Sequence, residues 1–165
     1  VAAMNPCPCG HFPDRSRCRC TDGQIIRYLQ KVSGPMLDRI DICVEASPIT
    51  YGDIRSSGNN ESSREIRARV EQARKIQGER FAGENIRCNG EMSGRHIRKF
   101  CWLGREEEKF MEEIFKKLAL SARMHDRILK VARTTADLAE EEKIRLADLC
   151  EAVSYVKSRD KFWGN

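Results

Sequence analysis

Four cysteines near the amino terminus have a spacing that suits a metal site. Cys7, Cys9, Cys18 and Cys20 form two close pairs in the pattern C-x-C-x8-C-x-C. Four thiolates hold zinc tetrahedrally, with Zn–S bonds of about 2.3 Å, and can order a segment too small to fold otherwise. The pairs are tighter than the common C-x2-C spacing, so four reduced thiols in an exposed loop remain the alternative. His11 could replace one thiolate, or it could simply be solvated.

Three arginines lie between the two cysteine pairs. Arg15, Arg17 and Arg19 occupy alternate positions of this loop. Their charge favours ionised thiols nearby, and it could also contact phosphate groups. A solvated basic loop has the same composition, so both interpretations stay open.

Two further polar residues lie beside predicted strands. Asn5 follows a short apolar segment, and an amide at the carboxyl end of a parallel strand faces the usual ligand crevice of an α/β sheet. Asn-Pro is also a common turn. Arg39 precedes a second predicted strand, where an arginine could reach the γ-phosphate bound by a neighbouring subunit. Pairing with Asp38 or Asp41 is the alternative.

Arg123 is the third candidate for a phosphate contact. It comes two residues after Ser121, at the start of a predicted helix. From there the guanidinium group could reach a nucleotide, or it could pair with Asp126. One amide and two arginines, widely separated in the chain, are therefore the candidates for triphosphate chemistry.

The elements that would position these residues fall into two parts. The pattern of residues 1–47 predicts strand, loop, helix and strand, with apolar residues alternating over 40–46 and Asp22 capping the helix. Residues 48–62 are rich in turn formers and predict a linker. Residues 63–160 have helical periodicity and predict a bundle of four or five helices, beginning with a capping box at Ser62 and Glu65. Residues 161–165 form a tail containing Phe162 and Trp163.

Composition and charge exclude several classes of protein. The 165 residues carry 33% charged and 40% hydrophobic residues, with a mean hydropathy of -0.60, which is typical of a soluble globular chain. No apolar segment approaches the ~18 residues of a membrane span.

Eight cysteines without an export signal favour metal binding over disulfides and predict a cytoplasmic protein. The start at Val1, without Met, predicts the interior of a longer chain. The net charge of +5 permits a polyanionic partner.

Four segments taken together resemble one known family. They are AMNPCPCG at 3–10, CRCT at 18–21, SGPMLDRID at 33–41 and SARMHDRILKVARTTADL at 121–138. In this order they resemble the ComM/YifB family, bacterial AAA+ ATPases related to the I subunit of magnesium chelatase. The resemblance covers nearly the whole chain.

The resemblance implies roles for the candidate residues. Asn5 matches the sensor-1 asparagine that orients the attacking water, Arg39 the arginine finger that completes a neighbour's site, and Arg123 the sensor-2 arginine of the helical lid. The four cysteines match the family's four-cysteine loop, a possible Zn²⁺ site. The fold implied is the end of an AAA+ α/β core over 1–47, followed after the linker by a helical lid, mostly α overall.

The resemblance also implies that the chain is incomplete as an enzyme. The sequence contains neither a G-x-x-x-x-G-K-S/T loop nor an apolar strand ending in paired acids, which P-loop ATPases use to bind ATP and Mg²⁺. We therefore expect the carboxyl-terminal third of an ATPase, inactive alone. The parent is expected to be an ATP-driven hexameric DNA motor, similar to helicases that drive branch migration during natural transformation.

Two rival functions remain open. The first is a chelatase-type ATPase that remodels a protein partner or assists insertion of Mg²⁺ into a porphyrin. The second is a zinc-stabilised interaction module with no enzymatic parent. Walker motifs upstream of Val1 would exclude the second, and DNA binding by the full-length protein would favour the motor over the first.

Overall fold

The chain divides into two compact units. The computed structural model describes residues 1–37, 39–47, 49–55 and 61–163. Unit 1 comprises Val1–Glu45 and Tyr155–Asn165, and unit 2 comprises Ala46–Ser154. Asp38, Pro48, residues 56–60 and the last two residues of the predicted tail lie outside the described residues, and so do parts of the predicted linker and of the 33–41 motif.

The described residues are mainly α-helical, as the sequence predicts. None of the helices is both long enough and apolar enough to cross a membrane. The helices are α1 (Asp22–Leu29), α2 (Gly34–Leu37), α3 (Tyr51–Arg55), α4 (Ser63–Arg80), α5 (Gly94–Phe100), α6 (Arg105–Lys117), α7 (Ala122–Leu138) and α8 (Leu146–Trp163), with a 3-10 turn at Asn89–Glu91.

The two predicted strands are not formed. Residues 1–4 and 40–46 have no regular secondary structure, and no residue in the described parts of the chain is in a β-strand. Val1, Ile42 and Val44 are exposed instead of buried. A strand needs hydrogen-bonding partners on a neighbouring strand, and apolar alternation alone does not supply them. The predicted strand, loop, helix and strand of 1–47 is thus corrected to a loop followed by two short helices and a segment without regular secondary structure.

Helix α1 organises unit 1. Its N-cap is Thr21, not the predicted Asp22, because the Thr21 hydroxyl accepts the Gln24 N–H while the Gln24 side chain accepts the Thr21 N–H. Asp22 lies in the first turn, where its negative charge suits the helix dipole. Ile25 and Leu29 are buried on the inner face of the helix. The cap and this face hold α1 against the cysteine loop.

The carboxyl-terminal aromatic residues also belong to the core of unit 1. Phe162 and Trp163 pack against the cluster of Cys7, Ile25 and Leu29. The indole N–H of Trp163 donates to the Leu29 carbonyl over 3.1 Å. The predicted tail is therefore helical up to Trp163 and anchors unit 1.

Helix α7 forms the centre of unit 2. The structure confirms its predicted start, since the Ser121 hydroxyl accepts the Met124 N–H over 3.2 Å. It also confirms the capping box of Ser62 and Glu65 at the start of α4. Helices α4 and α5 and the 3-10 turn pack against α7. The buried apolar residues of α7 are Met124, Ile128, Leu129, Val131, Ala132 and Ala136.

A buried polar network joins α4, the 3-10 turn and α7. Asp137, which has no exposed surface, accepts hydrogen bonds from both terminal nitrogens of Arg80, from Asn89 (2.8 Å) and from Nε of Arg133 (3.1 Å). The terminal nitrogens of Arg133 donate to the carbonyls of Glu141 (2.6 Å) and Glu142 (2.7 Å). Burial lowers the pKa of Arg133, and the Asp137 carboxylate opposes that shift. The network fixes the end of α7 and the loop that follows it.

We expect Asp137→Asn to destabilise unit 2 by about 3 kcal/mol or more. The substitution leaves the half-buried Arg80 and the buried Arg133 without their counter-charge, and breaking a buried ion pair in this way costs about 3–5 kcal/mol. Asp126→Asn makes the same change at a more exposed carboxylate of α7 and is expected to cost less than about 0.5 kcal/mol. Hydrogen exchange of α7 amides measures both effects. Equal losses for the two variants would contradict a stabilising role of the network.

Candidate metal centre and phosphate-contacting residues

The four predicted cysteine ligands come together in unit 1. Their sulfur atoms all lie within 4.8 Å of one another. The Cys7 sulfur is 3.4 Å from that of Cys9 and 3.8 Å from that of Cys18, and the Cys9 and Cys18 sulfurs are 3.6 Å apart. Zn–S bonds of about 2.3 Å in a tetrahedron place sulfurs about 3.8 Å apart. The donor set and its spacing therefore fit zinc.

Turns of the loop bring the two cysteine pairs together. The Gly10 N–H donates to the Cys7 carbonyl over 3.1 Å, and the positive φ of +81° at Gly10 suits glycine. The Asp14 side chain accepts from the N–H (2.9 Å) and hydroxyl (2.6 Å) of Ser16, and the Asp14 carbonyl accepts the Cys18 N–H over 2.8 Å. These bonds return the chain to the first pair. His11, the alternative ligand, is exposed and lies outside the cluster of four sulfurs.

The surroundings of the four thiols give them different pKa values. N–H groups of His11 and Arg19 lower the pKa of Cys9 to about 6. Burial opposes ionisation of Cys7, but the Phe12 N–H, 3.4 Å from its sulfur, and the Cys18 thiol lower its pKa overall. Burial and the neighbouring Cys9 and Cys7 sulfurs raise the pKa of Cys20 to about 12.

The fourth thiol, Cys18, is held between opposing effects. The Cys20 N–H favours its thiolate, but burial and the Cys9 and Cys7 sulfurs outweigh that bond and raise the pKa of Cys18. Sulfurs this close resist sharing four negative charges. A divalent cation would remove that repulsion and stabilise all four as thiolates.

The three loop arginines have different surroundings. Arg15 pairs with Asp22, and its guanidinium group lies 5.0 Å from the centre of the Phe12 ring. Arg17 and Arg19 are exposed. The other four thiols lie outside the cluster, with Cys101 buried, Cys150 exposed, and Cys43 and Cys88 half-buried.

Asn5 lies at the entrance of the cysteine loop. It is exposed, and its amide nitrogen is 3.7 Å from the position that a Cβ on Gly10 would occupy. Because Gly10 has no side chain, the amide lies close to the turn between Cys7 and Cys9. The loop therefore fixes the surroundings of Asn5 although the predicted strand before it is not formed.

Arg39 is exposed in unit 1, two positions after the last residue of helix α2. Its Nη1 donates to the Pro35 carbonyl over 3.2 Å, which ties the side chain back to the start of that helix. Asp38, one of its alternative partners, lies outside the described residues. The side chain of Arg39 is therefore at the surface of the chain.

Arg123 lies in unit 2, in the first turn of α7, and is exposed. Its alternative partner Asp126 lies 3.3 Å from Nδ1 of His125. The structure thus places Asn5 and Arg39 in one unit and Arg123 in the other.

Sequence analysis missed two further groups of polar residues. The first is the network around Asp137, whose partner Arg80 is 57 positions away in the chain. The second consists of the cations Arg27 and Lys31, which line the same groove as Arg19 of the cysteine loop. The spacing of Arg27 and Lys31, four residues apart, could have shown that they share a side of the α1 region.

Two family models match successive parts of the chain. Magnesium chelatase, subunit ChlI, matches residues 1–54, and the C-terminal model of magnesium chelatase subunit ChlI matches residues 60–156. The first match ends inside α3, and the second begins before the start of α4. Both matches are to the same subunit and follow its order.

Several curated proteins are similar over most of the chain. Competence protein ComM of Haemophilus influenzae is 40% identical over 156 residues, which cover 94% of this chain and 30% of the relative. YifB of Escherichia coli is 41% identical over 157 residues, and Rv2897c of Mycobacterium tuberculosis is 34% identical over 155, with the same coverage. The chain thus spans about a third of the length of these relatives. It belongs to the magnesium chelatase ChlI-like family, in the group of ComM and YifB.

Proposed function

We propose that this chain is the carboxyl-terminal part of an AAA+ ATPase whose parent is an ATP-driven hexameric ring acting on DNA. The observation that carries the proposal is the 40% identity to competence protein ComM over nearly the whole chain. The match of 1–54 to the ChlI family model supports an ATPase core that continues upstream. In that parent, residues 1–47 would be the end of the α/β core, 48–62 a linker and 63–160 the lid.

The two segments that are not strands here fit this proposal. Residues 1–4 and 40–46 have apolar side chains but expose Val1, Ile42 and Val44. In the parent they would become strands, once neighbouring strands of the core satisfy their backbone groups and cover their apolar faces. The exposed apolar segments therefore support a sheet completed by other residues of the parent.

Three side chains would serve ATP hydrolysis. ATP, bound with Mg²⁺, would supply the γ-phosphoryl group. Upstream residues of the parent would bind both ATP and the ion. The Asn5 amide would orient the attacking water, and Arg39 would meet the negative charge that develops on the phosphoryl oxygens of a neighbour's site. Arg123 would contact the nucleotide from the lid. Since the residues that would bind ATP and Mg²⁺ belong to the upstream part of the parent, and Arg39 would act on a neighbouring subunit, the chain alone is expected not to hydrolyse ATP.

A chelatase-type ATPase is the second candidate function. The match of the chain to the family models of magnesium chelatase subunit ChlI favours it. Such a parent would remodel a protein partner or assist Mg²⁺ insertion into a porphyrin. It would use Asn5, Arg39 and Arg123 in the same way, so only the partner distinguishes the two proposals.

DNA binding by the full-length parent tests the choice between the two. We expect binding that weakens steeply with salt, because released counterions drive it, and ATP turnover that DNA stimulates. Anisotropy of a labelled oligonucleotide and a phosphate-release assay measure the two effects. Absence of DNA binding at low salt would exclude the motor and leave the chelatase-type function.

A further inference from the structure

An open groove lies beside the cysteine loop in unit 1. Its volume is about 450 Å³, and the loop forms one wall and α1 with its following turn the other. The lining residues are Pro8, Cys9, Arg19, Cys20, Gln24, Arg27, Tyr28 and Lys31. The groove is thus built on a candidate metal centre and a capped helix.

The groove is cationic. Arg19, Arg27 and Lys31 line it and are exposed, and none of its described lining residues is an aspartate or glutamate. Zinc with four thiolates would carry a net charge of about −2, which these three cations exceed. Arg27 lies in the last turn of α1, and Lys31 lies in the turn that follows the helix. The positive charge therefore comes from three separate parts of the lining, the loop, α1 and the turn after α1.

An aromatic ring contributes to the same wall. Tyr28 is half-buried, and the Lys31 ammonium lies 5.6 Å from the centre of its ring. Cations along an open groove together with an aromatic ring are what proteins use to bind single strands, because phosphates follow the cations and a base stacks on the ring. A free nucleotide would favour an enclosed pocket with cations converging on it.

We propose that this groove binds single-stranded DNA, with its backbone phosphates on Arg19, Arg27 and Lys31 and a base against Tyr28. The inference rests on the proposed DNA partner and adds the surface that contacts it. The cysteine loop then has a second role besides ordering unit 1, since it places Arg19 in the same groove as Arg27 and Lys31.

Neutralising the helix-side cations in the 165-residue chain tests the proposal. We expect Arg27→Gln with Lys31→Gln to weaken binding of a labelled oligo(dT) about tenfold and to lower the salt slope by about 1.4, the value for two phosphate contacts on a single strand. Arg67→Gln with Lys75→Gln removes the same charges from exposed positions of α4 and should leave the slope unchanged. Lys31→Gln alone, beyond the end of α1, should give about half of the change in slope.

The outcomes separate this inference from the proposed function. Loss of affinity confined to the groove variants supports the groove. Oligonucleotide binding that weakens equally in the α4 control overturns the groove but keeps the DNA partner. If the full-length parent binds the oligonucleotide but the unaltered chain does not, the DNA site lies elsewhere in the parent and the groove proposal is overturned. Absence of binding in both removes the DNA function as well. Zinc loss in Lys31→Gln would assign the cations to the metal centre and overturn the proposal.

Discussion

Arg39→Ala in the full-length ring is expected to reduce ATP turnover by about 10³-fold or more while nucleotide binding stays nearly unchanged. An arginine finger acts on the charge that develops during phosphoryl transfer, so its loss affects kcat far more than ground-state binding. The exposed position of Arg39, tied to the Pro35 carbonyl, suits a contact across a subunit boundary. Phosphate release and binding of a fluorescent nucleotide measure the two quantities separately.

Mixing two inactive subunits tests whether Arg39 acts on a neighbour. Asn5→Ala damages the subunit's own site, whereas Arg39→Ala damages the site next to it. In randomly mixed rings about a quarter of the interfaces combine an intact Asn5 with an intact Arg39, so part of the activity should return. Restored turnover requires the two residues to act from different subunits.

Arg17→Ala is the matched control for this experiment, because Arg17 is another exposed arginine of unit 1. It should leave turnover unchanged within about twofold. Lost nucleotide binding in Arg39→Ala, with turnover unchanged at saturating ATP, would contradict the finger role. Absence of recovery in rings shown to be mixed would place Arg39 and Asn5 at the same site.

The helices were predictable because their signals are local. The hydroxyl of Ser62 and the carboxylate of Glu65 are three residues apart, so a capping box can be read from the sequence. Local reasoning failed at 40–46, where alternating apolar residues indicate a strand only if another strand is present to pair with it. The N-cap of α1 was placed one residue late because Asp22 and Thr21 are both good caps and only the geometry distinguishes them.

The candidate site was predictable in part for a similar reason. The spacing of the two cysteine pairs is enough to predict metal binding, and the structure brings the four sulfurs together. The pairing of Asp137 with Arg80 depends on how α4 packs on α7, and no short pattern encodes it. The cationic groove likewise needs α1 to lie against the cysteine loop, which places Arg19 beside Arg27.

Replacing Cys7 and Cys20 together by serine is expected to remove zinc completely from a chain that otherwise binds about one equivalent. Two of the four thiolates are lost, and serine is a poor zinc ligand. Cys150→Ser changes an exposed thiol in unit 2 and should keep the metal. Elemental analysis of the purified chains measures the stoichiometry. Zinc retained by the double variant would show that the metal is held elsewhere.

Loss of zinc is also expected to unfold unit 1 locally. Its core around the loop is small, with Cys7, Ile25 and Leu29 buried and the aromatic pair packed against them. Binding of a structural zinc contributes on the order of 10 kcal/mol, more than so few apolar residues can supply. Since Trp163 packs on this core, a Trp102→Phe background makes its fluorescence a reporter of unit 1. We expect a red shift on chelation or in the double variant, while α7 amides in unit 2 stay protected. Unchanged Trp163 emission in metal-free protein would mean that the loop keeps its fold without a metal.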